Sequence, residues 1–353
     1  MELFSPNQKQ ELLKILQEGK TKEDLALLIN KIIEFQNSVL NTSYKVISSK
    51  KLGFYLSKRD DFYSEFEIPK KTGGTRKISA PDLFLKKIQR RINLCLEQFF
   101  KPKLSTNGFI RERSIVTNAQ PHIGKRFVFN IDLKDFFPSI HYGRIKAVLQ
   151  KDPFNTSSEI AHLIAHLACY NGILPQGSPL SPLITNIICQ ALDTYMVKFA
   201  KHYRCYYSRY ADDITFSSNK NVFKNDKFQS DLKNLIQSQG FRINSKKTRI
   251  QKSTQRQEVT GIIVNQKSNL RRPYIKNVRA MLHNWDKKGL EYCERTHKEI
   301  YSKNSNLPSN NSIPKFTSVL NGKIQFLGMV RGKEDNIFKR KIAAFNRLIK
   351  STY

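Results

Sequence analysis

Two adjacent carboxylates, Asp212 and Asp213, lie in the segment RYADDITFSS, which otherwise has the pattern of a β-hairpin. Aspartate is common at tight turns, so the pair taken alone indicates ordinary turn chemistry. Like charges side by side repel each other, however, and nothing nearby in sequence obviously neutralises them. A fold that contains this hairpin has to bring a counter-charge to it from elsewhere.

A third carboxylate, Asp132, stands at the end of the apolar run FVFNID, which has the length of a buried strand. A carboxylate in that position is costly unless it is paired or bound to a metal ion. If this strand and the hairpin are neighbours in one sheet, the three carboxylates meet. We expect such a cluster to bind two Mg²⁺ ions, with Mn²⁺ as an alternative, as in sites for phosphoryl transfer.

The charge of the chain indicates a polyanionic partner. There are 61 Lys and Arg against 29 Asp and Glu, a formal charge of +32, and nucleic acid is the natural partner for so basic a protein. A basic solubility surface and a membrane-surface role are the alternatives.

The five cysteines form no C-x-x-C pair, and no run approaches the length of a membrane helix. We therefore expect a reduced, cytoplasmic protein without a membrane partner.

Local patterns predict a helical region over residues 1–60, with Ser5 and Thr21 as helix caps. The segment FEIPKKTGGTRKISAP predicts a hairpin with a cationic tip, and an amphipathic helix follows it. Residues 266–353 hold 19 Lys and Arg against 6 Asp and Glu, with a polar break at 302–312. This last part is predicted to be mostly helical and to face nucleic acid. The cations at the hairpin tip are Lys70, Lys71, Arg76 and Lys77.

Three segments in this order, NIDLKDFFPSI, GILPQGSPLSPLITN and RYADDITFSS, resemble the palm motifs of reverse transcriptases over about residues 62–265. The resemblance implies an α+β fold, the right-hand polymerase, with fingers, a palm of antiparallel sheet plus helices, and a mostly helical thumb. The implied division is an N-terminal helical region 1–60, fingers 61–131, palm 132–265 with some fingers helices at 143–172, and thumb 266–353.

The resemblance also implies roles for individual residues in an RNA-directed DNA polymerase. The metal ligands would be Asp132, Asp212, Asp213 and the backbone carbonyl of Leu133. The groups that contact the incoming dNTP would be Lys70, Arg76, Phe137, Gln176 and Gly177. Lys247 would act on the leaving pyrophosphate, and Phe137 would exclude a 2′-hydroxyl. Each cation could equally belong to a solvated basic surface, and Phe137 could be an ordinary core aromatic.

Two further segments resemble motifs of retron-type enzymes: NAQPH, from Asn118 to His122, and VTG, which is Val259, Thr260 and Gly261. Retron-type enzymes bind a structured non-coding RNA and begin DNA synthesis from the 2′-hydroxyl of an internal guanosine. The product is branched RNA–DNA, multicopy single-stranded DNA (msDNA), which serves antiphage defence, usually with an effector protein. A structural histidine and a strand leading into a turn are the alternatives for these two segments.

The basic C-terminal part matches a thumb that grips the RNA and the growing RNA–DNA hybrid. Contacts to RNA or primer are expected from Asn118, His122, Tyr210, Val259, Thr260, Gly261, Arg271, Arg272, Tyr274 and Lys276. For the last four, a helix with a solvated basic face is the alternative. The stretch after the palm is too short for an RNase H or endonuclease domain, which favours a stand-alone bacterial enzyme. An abortive-infection or group II intron-like enzyme and a non-catalytic nucleic-acid-binding scaffold are the alternative functions.

Overall fold

The computed structural model describes residues 4–70, 73–303 and 313–352. Lys71 and residues 304–312 of the predicted polar break lie outside the described residues. The chain divides into two compact units, of which unit 1 comprises residues 1–112, 130–214 and 222–248, and unit 2 comprises 113–129, 215–221 and 249–353. This division starts the last part of unit 2 at Arg249 rather than at 266; the assignment to fingers, palm and thumb stays a prediction.

The described residues form helices and short strands in a mixed α+β arrangement. The helices are α1 (Pro6–Glu18), α2 (Lys22–Leu40), α3 (Ser49–Ser57), α4 (Leu83–Glu97), α5 (Ile115–Ala119), α6 (Tyr142–Leu149), α7 (Ser158–Ala168), α8 (Ser181–His202), α9 (Asp226–Ser238), α10 (Arg272–Ser302), α11 (Phe316–Arg331) and α12 (Asn336–Thr352). The strands are β1 (Tyr63–Pro69), β2 (Thr75–Pro81), β3 (Phe127–Asp132), β4 (Tyr206–Tyr210), β5 (Asp213–Ser218), β6 (Arg249–Lys252), β7 (Glu258–Val259) and β8 (Ile262–Ile263).

The N-terminal helices begin at the residues that the sequence predicts. Ser5 caps α1 through a hydrogen bond from the backbone N–H of Gln8, and Thr21 caps α2 in a capping box with Asp24. The side chain of a capping residue satisfies a backbone N–H that the helix itself leaves without an acceptor. These caps fix the start of each helix, so the helical prediction for this region is confirmed.

The core of unit 1 is formed mainly by helices. The apolar stripe of α4, predicted from its spacing, is buried, and α2 packs against both α4 and α7. α8 is buried along most of its length and contacts β4. The stripe of α4 consists of Leu85, Ile88, Ile92 and Leu96.

Two sheets carry the segments that the sequence singled out. β1 and β2 form the predicted antiparallel hairpin, in which Phe66 lies opposite Ile78 and Ile68 opposite Arg76. A four-stranded sheet has the order β4-β5-β3-β6. β5 therefore lies beside β3, which ends in Asp132. Asp212 lies in the turn before β5, and Asp213 is the first residue of β5.

Two hydrophobic clusters lie among the described residues of unit 2. One lies among α10, α11 and α12, where Trp285 makes edge contacts with Phe316 and Phe345. The other lies around the small β7–β8 hairpin and includes Val128, Val259 and Val264. α10 is interrupted at Gly289, whose φ of 79° is not helical. The predicted, mostly helical character of residues 266–353 is confirmed for the described residues.

Among the described residues, none of the helices combines the length and apolarity needed to cross a bilayer.

Candidate active site

Asp132 is the centre of the candidate site and is almost fully buried, at 8% exposure. Its Oδ2 accepts a hydrogen bond from Lys247 Nζ at 2.8 Å, and its Oδ1 accepts one from Asn244 Nδ2 at 2.9 Å. The backbone N–H of Asn244 also donates to the Asp132 carbonyl, at 2.8 Å. Both oxygens of a buried carboxylate thus have partners, as physical chemistry requires.

The β4–β5 turn brings the second carboxylate to Asp132. The backbone N–H of Leu133 donates to the carbonyl of Asp212 at 3.1 Å, which joins the end of β3 to the turn. Asp212 is half-buried and Asp213 is exposed. Ala211, which precedes them, has a φ of 55°, a left-handed conformation that is unfavourable for a residue with a Cβ. The turn is therefore strained where it presents the carboxylates.

The charges of the site act on one another. Burial raises the pKa of Asp212, and the nearby Asp132 charge raises it further, whereas Lys247 and Arg76 lower it. The hydrogen bond to Asp132 raises the pKa of Lys247, and the charges of Asp212 and Asp213 add to this effect. A single ammonium group therefore lies within electrostatic reach of all three aspartates that the sequence predicted.

The site fits a divalent metal ion by the chemistry of its donors. Carboxylate oxygens are the ligands that Mg²⁺ prefers, and Asp132 and Asp212 are close enough to repel each other. Within residues 4–70, 73–303 and 313–352, no group of three or more His, Cys, Asp or Glu side chains is arranged to hold an ion by itself. Mg²⁺ usually takes one or two protein carboxylates and completes its shell with water and substrate phosphates. Two carboxylates beside an exposed third satisfy that requirement.

The structure places several predicted nucleotide-binding residues in unit 1 with the aspartates. Arg76, on β2, is exposed and acts electrostatically on Asp212. The carbonyl of Gln176 accepts a hydrogen bond from the backbone N–H of Ser79, also on β2, at 2.9 Å. Gly177 has a φ of 137°, and a Cβ there would lie 2.7 Å from the Ser79 carbonyl oxygen. The glycine therefore permits a close approach between its loop and β2, while its predicted contact with nucleotide stays a prediction.

Other predicted residues lie at the surface or partly covered. Lys70 is exposed, and its backbone pairs with Gly74 at the hairpin tip. Phe137 is half-buried between Phe136 and Phe109, with ring centroids 5.5 Å and 6.4 Å away. Tyr210, the last residue of β4, is also half-buried. Partial exposure is compatible with the roles predicted for Phe137 and Tyr210, which stay predictions.

Several residues of NAQPH and VTG are buried within unit 2. Asn118, His122 and Val259 are each fully buried. Asn118 Nδ2 donates to Thr260 Oγ1 at 3.4 Å, so the two segments contact each other. These three side chains do not reach solvent in the folded chain, and their predicted contact with RNA stays a prediction. RNA contact by Thr260 and Gly261 stays a prediction.

The four residues at the start of the predicted thumb differ in environment. Arg271 makes a bidentate ion pair with the buried Glu258, in which its Nε donates to Oε1 at 2.7 Å. The hydroxyl of Tyr274 donates to the Lys323 carbonyl at 3.0 Å, and its ring packs edge-on against Phe326. Arg272 and Lys276 are exposed. The structure thus gives Arg271 and Tyr274 partners within unit 2, although the Arg271 side chain stays 56% exposed, and leaves Arg272 and Lys276 facing solvent.

Sequence reasoning missed Asn244, whose side chain and backbone both bind Asp132. The signal was its position three residues before Lys247 in a short polar turn, a spacing that allows both side chains to reach one carboxylate. It also missed Arg209, which is fully buried directly before the motif at Tyr210 to Asp213. A charged residue within an otherwise apolar strand segment is the signal for such a role.

A family model for reverse transcriptase (RNA-dependent DNA polymerase) matches residues 68–269. The match covers more than half of the chain, and the chain belongs to this family. Enzymes of this family use divalent metal ions, which agrees with the donor chemistry of the site. The predicted α+β fold of the right-hand polymerase is confirmed.

Among curated proteins, the chain is 35% identical over 237 residues to the Retron Mx65 reverse transcriptase of Myxococcus xanthus, covering 63% of this chain and 55% of that protein. It is 40% identical over 179 residues to the Retron Ec86 reverse transcriptase of Escherichia coli, covering 50% of this chain and 54% of that protein. The chain spans about half the length of the curated relatives it matches. The predicted resemblance to retron-type enzymes is confirmed.

A solved structure of telomerase from Candida albicans in complex with a fragment of telomeric RNA aligns with a TM-score of 0.43 and 11% identity, covering 94% of this chain and 76% of that chain. A likeness this weak supports no inference about this chain.

The burial of His122 predicts a pH-dependent stability. Burial, with a smaller effect of Lys125, lowers the pKa of His122 to about 3, and its Nδ1 lies 2.7 Å from Ser217 Oγ. In the unfolded chain, His122 takes up a proton near pH 6.5. In the folded chain it does so only near pH 3. Stability should therefore fall as pH drops below about 6.5, by about 1 kcal/mol between pH 7 and pH 5.5.

Urea unfolding of the wild type and of His122→Asn at the two pH values measures this effect. On acidification, the free energy of unfolding of the variant should fall by about 1 kcal/mol less than that of the wild type. An equal loss in both proteins would show that His122 is not buried in its neutral form.

Proposed function

We propose that this protein is an RNA-directed DNA polymerase of a retron. The observation that carries the proposal is the juxtaposition of Asp132, Asp212 and Lys247 at the β4–β5 turn, with a hydrogen bond of 2.8 Å between Lys247 and Asp132. Transfer of a nucleotide to a hydroxyl needs carboxylates that hold divalent cations and a basic group near the leaving phosphate. Membership in the reverse transcriptase family supports the same activity.

Asp132 and Asp212 would hold the divalent ions, with Asp213 and the Leu133 carbonyl as further ligands. Two bound Mg²⁺ ions, or Mn²⁺ in their place, would supply activation of the attacking hydroxyl and stabilisation of charge on the phosphates. The chain's own cations complement this chemistry. Arg76, whose charge already acts on Asp212, would bind the triphosphate. Lys247 would neutralise the leaving pyrophosphate and can protonate it, because its ammonium group lies at the carboxylates.

The residues around the aspartates would orient the substrates. Phe137 presents a half-buried aromatic ring after β3 and would exclude a ribose 2′-hydroxyl. Gln176 and Gly177 lie on a loop hydrogen-bonded to β2, the strand of Arg76, so a dNTP held by Arg76 would lie against that loop. Tyr210 ends β4 immediately before the strained turn and would support the primer terminus.

The retron assignment rests on similarity to proteins named retron reverse transcriptases and on the contact between the NAQPH and VTG segments. The substrate would be a structured non-coding RNA, primed from a 2′-hydroxyl and copied with dNTPs through an RNA–DNA hybrid into branched msDNA. A role in antiphage defence, with an effector protein, belongs to the same proposal. So does a cytoplasmic location, which the free state of all five cysteines supports.

Replacement of Asp212 by Asn should abolish polymerisation. The purified wild type should extend a DNA or RNA primer on an RNA template with dNTPs and Mg²⁺. Asp212→Asn should reduce extension by about 10³-fold or more, because an amide lacks the charge that a metal ligand needs. RNA affinity should stay within a few-fold of the wild type.

The matched control is Asp226→Asn, which changes an exposed aspartate at the start of α9. It should extend primers at the wild-type rate. Full extension by Asp212→Asn would remove the metal-site assignment, whereas an inactive wild type that still binds RNA would favour the non-catalytic scaffold.

RNA binding should depend steeply on salt, because a protein of formal charge +32 releases counterions when it binds phosphates. The affinity should fall by about 10²-fold or more between 50 and 200 mM salt. The double variant Arg272→Ala, Lys276→Ala should lower the slope of log K against log salt by about 1 to 2. Fluorescence anisotropy with a structured RNA measures both quantities.

Arg271→Ala is the matched control for this measurement, since Arg271 is ion-paired with Glu258. It should lower thermal stability and leave the salt slope nearly unchanged. A slope that falls for Arg271→Ala and not for the double variant would place the RNA contact elsewhere.

The retron assignment predicts a defined product in cells. Cells that express the protein with the RNA encoded beside its gene should contain a short DNA band whose mobility changes after RNase or debranching treatment. The band should be absent in cells that express Asp212→Asn. An active polymerase that gives no such band with the RNA present would favour another bacterial reverse transcriptase, of abortive-infection or group II intron-like type.

A further inference from the structure

Arg209, the residue before Tyr210, is fully buried and makes an ion pair with Asp193 of α8. Its Nε donates to Asp193 Oδ1 and its Nη2 to Oδ2, both at 2.7 Å. Asp193 is itself buried, at 1% exposure. A bidentate pair out of contact with water is costly to form and is weak evidence for stability by itself. The other contacts of Arg209 and Asp193 have to explain why this pair lies directly behind the active-site turn.

Two hydroxyl groups also donate hydrogen bonds to Asp193, one from β4 itself and one from the segment that contains Thr106. The hydroxyl of Tyr207 donates to Oδ1 at 2.6 Å, and the hydroxyl of Thr106 donates to Oδ2 at 2.7 Å. Burial alone would raise the pKa of Asp193, but the charge of Arg209 and these hydrogen bonds outweigh burial and lower the pKa. The carboxylate is thus a fixed, ionised acceptor that sets the orientation of the guanidinium group.

The guanidinium group also reaches the active-site turn. Its Nη1 donates to the carbonyl of Ala211 at 3.1 Å, and Ala211 is the residue with the left-handed φ of 55° immediately before Asp212. Its Nη2 donates to Asn186 Oδ1 at 3.1 Å. Asn186 Nδ2 in turn donates to the carbonyl of Gly108 at 2.8 Å. One side chain therefore links α8, the turn and the segment around Gly108.

The segment 105–108 lies directly against the same turn. The N–H of Arg209 donates to the Ser105 carbonyl, and the N–H of Asn107 donates to the Arg209 carbonyl, both at 2.8 Å. A Cβ on Gly108 would lie 2.4 Å from the backbone nitrogen of Ala211. A glycine at this position therefore lets the segment support the turn from behind.

We infer that Arg209, held by Asp193, is a positioning residue that fixes the Ala211 carbonyl and the 105–108 segment and thereby sets the position of Asp212. The inference rests on the proposed polymerase function for its catalytic consequence. The planar fork of arginine donates to Asp193, Asn186 and Ala211 at once. A lysine would keep the buried positive charge opposite Asp193, but its single ammonium group does not span the three acceptors. The strained turn would then relax, and Asp212 would shift relative to Asp132.

Arg209→Lys tests the inference, with Tyr207→Phe as the matched control. Tyr207→Phe removes a hydrogen bond from the same buried carboxylate and leaves every contact of Arg209 in place. In primer extension, Arg209→Lys should lower kcat by about 10- to 100-fold, because small misplacements of catalytic groups have effects of this size. The KM for dNTP should change by less than about threefold. Tyr207→Phe should keep kcat within about threefold of the wild type.

Hydrogen–deuterium exchange provides a readout that needs neither metal nor activity. Arg209→Lys should exchange faster than both the wild type and Tyr207→Phe in peptides covering 206–214 and 104–111, with RNA affinity unchanged. Unchanged exchange in these peptides, or a kcat equal to that of Tyr207→Phe, would overturn the inference. If the wild type itself does not extend primers, the proposed function fails, and the exchange data still decide whether Arg209 holds the turn.

Gly108→Ala tests the support of the turn by the 105–108 segment. This variant also provides the test if Arg209→Lys does not fold. The added methyl group should displace the turn, lower kcat by about 10-fold and accelerate exchange in 206–214. Gly322→Ala is its control, since a Cβ on Gly322 meets nothing within 4 Å, and it should match the wild type. A Gly108→Ala protein with wild-type kcat and exchange would contradict the inference.

Discussion

The repulsion between Asp132 and Asp212, with Asp213 next to Asp212 in sequence, is the constraint on which the site depends. Carboxylates that lie this close have to be compensated, and the ammonium group of Lys247 lies within reach of all three. A polar turn, rather than a longer strand, follows Phe241. This turn brings Asn244 and Lys247 to the two carboxylate oxygens of Asp132. On the proposed function, Asp132 and Asp212 would hold a divalent ion, whose charge would add to the compensation that Lys247 gives.

The turn that presents these charges is held by groups that do not face the substrate. Ala211 is strained, and a strained conformation persists only where its surroundings determine it. The buried pair of Arg209 and Asp193 supplies that determination through hydrogen bonds to the Ala211 carbonyl and to Asn186. The hairpin therefore presents the half-buried Asp212 and the exposed Asp213 at its turn, while the buried Arg209 behind the turn is neutralised by Asp193 of α8.

Local patterns predicted the helix caps at Ser5 and Thr21, the stripe of α4 and the strand that ends in Asp132, because each depends on residues close in sequence. The partners of the site could not be predicted in this way. Asn244 is 112 positions from Asp132, and its spacing from Lys247 becomes informative only once the distant carboxylate that both residues reach is known. Likewise, the burial of Asn118, His122 and Val259 could not be predicted, because a short motif does not specify whether its side chains face the core or the solvent.

The basic C-terminal part shows why net charge alone does not identify an RNA-binding face. Arg271 is committed to the buried Glu258, and Asp335 takes both Arg331 and Lys267. These cations stabilise unit 2 and are poorly placed to exchange their carboxylates for phosphate, because Glu258, which also pairs with Arg256, and Asp335 are largely buried and would lose part of their compensation. Residues 266–353 nevertheless contain 19 Lys and Arg against 6 Asp and Glu. The acids of that stretch of sequence are therefore too few to pair one to one with most of these cations. On the proposed function, a surface for RNA would therefore consist of exposed members of that excess, such as Arg272 and Lys276, rather than of every arginine and lysine in the basic segments.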